Sequence, residues 1–230
     1  MASRFQNMFR SPRKINIPPV AVLGLGRFGT SLAHELIDHG VEVLGVDSNP
    51  RQVQDMAETL TQAVVADTTD PQALRQLGIA EFDRVVVGIG TNLETSILTA
   101  ANVVDLNVRE VWAKADSDSH ARILRKIGVT QVVRPEFDTG KRVAHLLGGR
   151  IQDYAAFAKT YAMVKLAPPA FMVGKPLDNQ ALWKQHHVHV VACYSPQHGW
   201  QPMTDGAVAK PDDVLLIGGD PNDLELIGEL

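Results

Sequence analysis

The hexapeptide Gly24-Leu25-Gly26-Arg27-Phe28-Gly29, lodged between an apolar run and a helical pattern, constrains this chain more than any other stretch. Val20-Ala21-Val22-Leu23 before it reads as a buried strand, and Gly29 to Asp38 reads as an amphipathic helix. A strand that feeds a helix through a glycine turn opens a βαβ unit. In such a turn the first glycine permits the tight reversal, the second lets backbone approach a phosphate, and the third lets helix and strand pack closely. The helix then presents free N–H groups and the positive end of its dipole to that phosphate. Asp47 closes the next apolar run, eighteen positions after Gly29, with Ser48 beside it. A carboxylate there accepts from both ribose hydroxyls and repels a 2′-phosphate, so the pattern selects adenosine nucleotides over NADP. A glycine turn kept only for packing, with no nucleotide, is the alternative.

From Val20 to about Leu147 strand and helix signals alternate. Strands are expected at Val20–Leu23, Val41–Val46, Ala63–Ala66, Arg84–Ile89, Val111–Lys114 and Gln131–Arg134. Helices are expected at Gly29–Asp38, Pro50–Leu60, Asp70–Leu77, Leu93–Leu106, Ser117–Ile127 and Asp138–Leu147. This alternation calls for an α/β fold, a Rossmann-like doubly wound parallel sheet with helices on both faces. Near Gly148-Gly149 the character changes. Ile151–Lys159 reads as a short connecting helix, followed by strands at Tyr161–Leu166, Val188–Tyr194 and Val214–Ile217 and a helix at Pro176–Lys184. The expected organisation is a basic mobile tail over 1–16, a nucleotide-binding domain over 17–148, a linker helix over 149–160 and a small α+β domain over 161–230.

Composition narrows the functions. At 230 residues the chain suits two modest domains, and 45% hydrophobic content supports a core in each. A net charge of -4 argues against nucleic acid as a partner, because neutralising phosphates needs a basic surface. The single cysteine, Cys193, forms no internal disulfide and lies in an apolar run, as a small hydrophobe would. Arg4, Arg10, Arg13 and Lys14 make the first residues basic, but no long apolar core accompanies them, so they are not a secretory signal. Four such charges give only weak attraction to anionic lipid.

The chemistry-bearing residues fall at strand ends. Arg27 and Phe28 fill the variable positions before the third glycine, and the forked cation of Arg27 suits a terminal phosphate of ATP or ADP. Asp67 and Thr68 end the third strand, where ligands sit in such sheets. Asp67 is read as a ligand contact, with helix capping as its alternative, and Asp70 as the cap of the helix at Pro71. Gly88-Ile89-Gly90-Thr91-Asn92 ends the fourth strand and brings backbone close to the nucleotide sugar. Lys114, ending the fifth strand, offers a further phosphate contact. Glu136 follows the sixth strand. An acid beside a polyphosphate needs a cation between them, which points to Mg²⁺ or a similar ion. His186, His187 and His189 raise zinc, with His187 and His189 on one strand face, but no further ligand stands at suitable spacing. No general base with an orienting partner and no activated nucleophile follows residue 150, which argues against an enzyme.

These residues carry a resemblance. Val20 to Leu147 resembles the RCK N-terminal (KTN, TrkA-N) domain of bacterial potassium-transport regulators. It does so through the glycine turn, Asp47, Asp67, Gly90-Thr91-Asn92 with Thr95-Ser96-Ile97-Leu98-Thr99, Lys114-Ala115, Leu124-Arg125-Lys126-Ile127-Gly128, Pro135-Glu136 and Gly140. The remainder is similar to the RCK C-terminal (TrkA-C) domain through Val173-Gly174-Lys175-Pro176-Leu177, Val190-Val191-Ala192 and Pro211–Gly218. One copy of each domain matches the single-RCK, KtrA type of this family. The resemblance implies a homo-octameric ring built from dimers, docked on the cytoplasmic face of a potassium-translocating membrane subunit of the KtrB/TrkH type. It implies that ATP and ADP compete for the N-terminal site, with Arg27 sensing the γ-phosphate, Asp47 holding the ribose and Glu136 helping to bind a cation between paired subunits. Cyclic di-AMP at the C-terminal domain is a further expectation. Thr30 stands where another glycine is frequent, and Val129-Thr130 where Ala-Asp is common, changes expected to alter local packing. The alternative function is an NAD(H)-binding redox sensor or a small NAD-dependent oxidoreductase.

Overall fold

A computed structural model of the protein describes residues 17–90 and 92–229, with the side chains of 228–229 left aside. The basic tail over 1–16 and Thr91 lie outside the described residues. The chain divides into two compact units, one ending at Glu136 and one beginning at Phe137.

The first unit runs β1 (Val20–Leu23), α1 (Arg27–Asp38), β2 (Val43–Asp47), α2 (Pro50–Met56), β3 (Gln62–Val65), α3 (Pro71–Gln76), β4 (Arg84–Val87), α4 (Leu93–Asp105), β5 (Glu110–Lys114), α5 (Asp118–Lys126) and β6 (Gln131–Val133). The strands pair in parallel in the order β3-β2-β1-β4-β5-β6. Apolar runs such as Val20-Ala21-Val22-Leu23 serve both faces at once. Ala21 and Leu23 pack with Leu74, Ala100, Val103 and Leu124 from α3, α4 and α5. Val20 and Val22, pointing the other way, pack with Ala33, Val53 and Met56 from α1 and α2. The doubly wound expectation holds.

Helix starts follow local chemistry. Asn49 and Asp70 cap α2 and α3 by accepting from Arg51 and Gln72 amides, each with proline as the first helical residue. Asn92 caps α4 and Ser117 caps α5. Thr130 ties the α5–β6 turn to β5, because its hydroxyl donates to the Val111 carbonyl at 2.7 Å and accepts from the Val111 amide at 2.9 Å.

The helix α6 (Pro135–Leu146) contains the division between the units. The expected boundary near residue 148 therefore moves to the first turn of α6. The cause is that its later residues bind within the second unit: Arg142 pairs with Asp153, and His145 stacks on Tyr154 at 3.7 Å and pairs with Glu225.

The second unit continues with β7 (Ile151–Ala158), β8 (Tyr161–Leu166), α7 (Asn179–His186), β9 (Val188–Ser195), β10 (Gly199–Pro202), β11 (Val214–Gly219) and α8 (Pro221–Glu229). Its antiparallel sheet has the order β10-β9-β11-β8-β7, with Leu182 of α7 and Leu224 and Ile227 of α8 in its core. The expected linker helix over 149–160 is instead strand β7, paired with β8. A register shift between Ile151 and Asp153 lets Ile151 and Tyr154 both face the core at a spacing of three, which imitates helical periodicity. The alanines at 155, 156 and 158 add helix propensity, and sheet pairing overrides it. The helix expected at Pro176–Lys184 starts later, at Asn179, because Asp178 is its cap.

Candidate nucleotide-binding site

The strand order reverses between β1 and β4, and the crevice outside their carboxyl ends is where ligands enter sheets of this type. A cavity of about 470 Å³ opens there. Among the described residues, every nucleotide contact expected from the sequence lines it except Gly29.

Gly29 works behind the cavity. A Cβ on it would stand 1.9 Å from the Gly24 carbonyl oxygen, so only glycine lets α1 lie this close to the turn. Gly24 has φ +99°, and its own Cβ would meet the Ile89 side chain at 2.8 Å. Gly26 is different: nothing stands within 4 Å of a Cβ placed there, so its bare backbone faces open space in the cavity wall. Gly26 is also the N-cap of α1. The helix has no side-chain cap and no acid in its first turn. Its N-terminal N–H groups therefore remain available to an anion. Arg27 is the first helical residue and is exposed at the cavity rim. A cation there opposes the helix dipole. The hydroxyl of Thr30 donates to the Leu25 carbonyl at 2.8 Å, so this departure from glycine braces the turn.

Asp47 is fixed by two amides. Its Oδ2 accepts from Leu25 at 2.7 Å and its Oδ1 from Asn49 at 2.8 Å, which leaves further lone pairs on both oxygens toward the cavity. Ser48 lines the wall beside it. Asp67 lines the cavity just beyond the end of the neighbouring strand β3, with Oδ1 accepting from the Thr69 hydroxyl at 2.7 Å and amide at 2.9 Å. Those Thr69 bonds hold its carboxyl below the usual range. Thr68 reaches the cavity, but its hydroxyl is hydrogen-bonded to that of Thr99 at 2.8 Å. Ile89, Gly90 and Asn92 form the β4–α4 edge, where Asn92 also caps the helix. Gly88 of the quoted β4 loop and Thr95, quoted for the resemblance, also line the cavity, and Asn49 and Gln52, which the sequence reading did not single out, complete it.

Lys114 reaches the cavity from the end of β5. Its ammonium lies 2.7 Å from Glu136 and 3.4 Å from Asp116. Burial alone would lower its pKa, but the two carboxylates outweigh that and leave it raised. The Lys114 bond in turn lowers the Glu136 carboxyl, with a smaller contribution from the charge of Arg27. The partner of Glu136 is thus a cation of the chain itself.

Other candidates separate from this site. No group of three or more metal-ligating side chains occurs among the described residues. His187 ends α7 in the left-handed conformation at φ 50° and pairs with Asp223, so it does not share a strand face with His189. Cys193 is partly exposed instead of buried, and burial together with Asp213 pushes its thiol up to about 11, away from thiolate chemistry. No helix among the described residues is long and apolar enough to cross a membrane.

The TrkA-N domain family matches residues 20–135. Ktr system potassium uptake protein A of Bacillus subtilis is 39% identical over 202 residues, covering 86% of this chain and 90% of the relative. Ktr system potassium uptake protein C of the same organism is 32% identical, covering 89% and 93%. Among solved structures, the RCK domain of GsuK superposes with a TM-score of 0.62 at 15% identity, over 97% of this chain and 50% of that one, a likeness of fold. With the glycine turn, the fixed acid and the doubly wound sheet in place, these matches establish that the chain belongs to the TrkA-N domain family and groups within it with the Ktr system potassium uptake proteins.

Proposed function

We propose that this protein is a non-enzymatic regulatory subunit of a potassium-uptake system, switched by ATP and ADP in the cavity at the sheet switch point. The relatives named for potassium uptake support the process, and one site observation carries the nucleotide reading: an uncapped helix start whose bare Gly26 backbone and adjacent Arg27 face the cavity. The remaining lone pairs of Asp47 receive the ribose hydroxyls. The first-turn amides of α1 receive the shared phosphates, and Arg27 reads the terminal one. A ligand shifts a regulator only as far as it prefers one conformation, so the phosphate that distinguishes ATP from ADP must be the one that Arg27 binds differently. Glu136, already paired with Lys114, is one carboxylate and not a divalent-ion site alone. A cation there depends on phosphate oxygens and on a second subunit.

The protein acts on the cytoplasmic face of the membrane, held by a potassium-translocating membrane subunit, within a homo-octamer built from dimers. Cyclic di-AMP at the second unit is a further part of this proposal. A second reading, sensing of NAD(H), rests on Asp47, which suits the ribose of either ligand; a fold neighbour, the GsuK channel, has been solved bound to NAD. Thermal shift of the full chain with ATP, ADP, NAD and NADH separates the two, because a ligand of the folded state raises the melting temperature. Stabilisation by ATP and ADP, with ATP-dependent potassium flux when the membrane partner is present, is the expected result. Stabilisation by NADH alone selects the second reading, and no shift with any of the four overturns both.

A further inference from the structure

The Lys114–Glu136 pair occupies a position that a ligand must contest. Lys114 lines the cavity, and its side chain is only 12% exposed. Its ammonium stands over the β4–α4 edge, so close that a Cβ on Gly90 would approach it to 2.8 Å. Glu136 is placed oppositely: its side chain is 63% exposed, it does not line the cavity, and it faces Lys114 from the first turn of α6. The Glu136 carboxylate also feels Arg27, the cation at the other side of the glycine turn. One exposed acid is thus paired with a cation that lines the cavity, Lys114, and lies within the field of a second, Arg27.

We propose that Glu136 stands in for ligand phosphate, and that Lys114 exchanges Glu136 for the polyphosphate of an adenine nucleotide when one binds. The inference rests on the nucleotide reading above and adds the regulation of that site. The exchange is physically cheap. An ion pair with one strongly exposed partner is weak in water, whereas a polyphosphate brings more charge and several acceptor oxygens to a nearly buried ammonium. The released acid is not stranded, since a carboxylate in the first turn of a helix interacts favourably with the dipole. Asp116, at 3.4 Å, keeps Lys114 near the cavity throughout. Glu136 is also the last residue of the first unit, so the exchange changes the bonding of α6 at the point where the chain passes into the second.

The test is calorimetric titration of the full chain with ATP, ADP and adenosine in EDTA, using Glu136→Gln, Lys114→Gln and the double variant, each checked for folding by thermal melting. Removing the competing acid should tighten ATP and ADP about two- to fivefold and leave adenosine unchanged. Lys114→Gln should weaken both nucleotides, and Glu136→Gln should have no further effect in that background. If Lys114→Gln does not fold, Lys114→Met takes its place in the cycle. Weaker or unchanged nucleotide binding in Glu136→Gln overturns the exchange, as does tightening that persists without Lys114. Either outcome leaves the functional reading intact, because the wild-type chain still binds nucleotide. Absence of any nucleotide binding by the wild-type chain overturns both.

Discussion

Asp47 Oδ2 accepts the backbone N–H of Leu25 at 2.7 Å, so the acid that ends β2 braces the glycine turn that follows β1. The residue proposed to hold the ribose thus also shapes the turn proposed to hold phosphate. Asp47→Ala is expected to weaken ATP and ADP alike and to lower the melting temperature modestly. Losing such bonds costs roughly 1.5–3 kcal/mol of binding. Calorimetry on the folded variant checks this, and unchanged affinity removes Asp47 from the site.

Two glycines three residues apart make a sharper comparison. Gly29→Ala puts a methyl 1.9 Å from a backbone oxygen and should prevent folding, at a cost above about 3 kcal/mol. Gly26→Ala meets no protein atom within 4 Å and should keep the fold, losing at most about 1 kcal/mol at the helix cap. Its methyl nevertheless occupies the ligand's approach. A folded Gly26→Ala protein that binds ATP normally would show that no phosphate rests on this turn.

Arg27→Ala should reduce ATP affinity more than ADP affinity and blunt the ATP response of potassium flux. A charge-assisted bond to the terminal phosphate is worth roughly 1.5–3 kcal/mol, or about one to two decades of discrimination. Equal losses for the two nucleotides, measured by calorimetry, would assign Arg27 to the shared phosphates.

His120 makes stability depend on pH. It is 2% exposed, and its Nε2 has no hydrogen-bond partner among the described residues. Burial lowers its pKa, against the opposing pull of the Asp116 charge. The unfolded chain keeps the ordinary value of about 6.5, so below it the unfolded state binds a proton that the folded state refuses. Stability should therefore fall as pH drops through about 6.5 and below. In His120→Phe that slope should flatten, as followed by thermal melting; an unchanged slope assigns the effect to other groups.

The first unit was legible because its signals agree. Apolar runs, glycine turn, Asn49-Pro50 and Asp70-Pro71 each point to the same alternation, and the structure follows them within a few residues. The second unit was less legible. Strand β7 carries a bulge and an alanine-rich stretch, whereas α8 went unread although Gly218-Gly219-Asp220-Pro221 carries the same cap-and-proline start as Asp70-Pro71, with Asp220 accepting from the Asn222 amide. At the site, residues on the turn and at strand ends were readable from position alone. Asn49 and Gln52 were not, because they lie at the cap and in the first turn of α2, which only the sheet order brings around the cavity. The Lys114–Glu136 pair escaped for a related reason: each was read toward a ligand, and 22 residues of chain separate them.

The bare start of α1 also sets a limit on improving this protein. A search for stabilising substitutions would select an acid in place of Arg27, since an anion in the first turn gains about 0.3–1 kcal/mol from the helix dipole. That gain would place a permanent negative charge where the ligand's own must go. At this position thermal robustness and responsiveness are opposed, and a sturdier helix would be a deaf one.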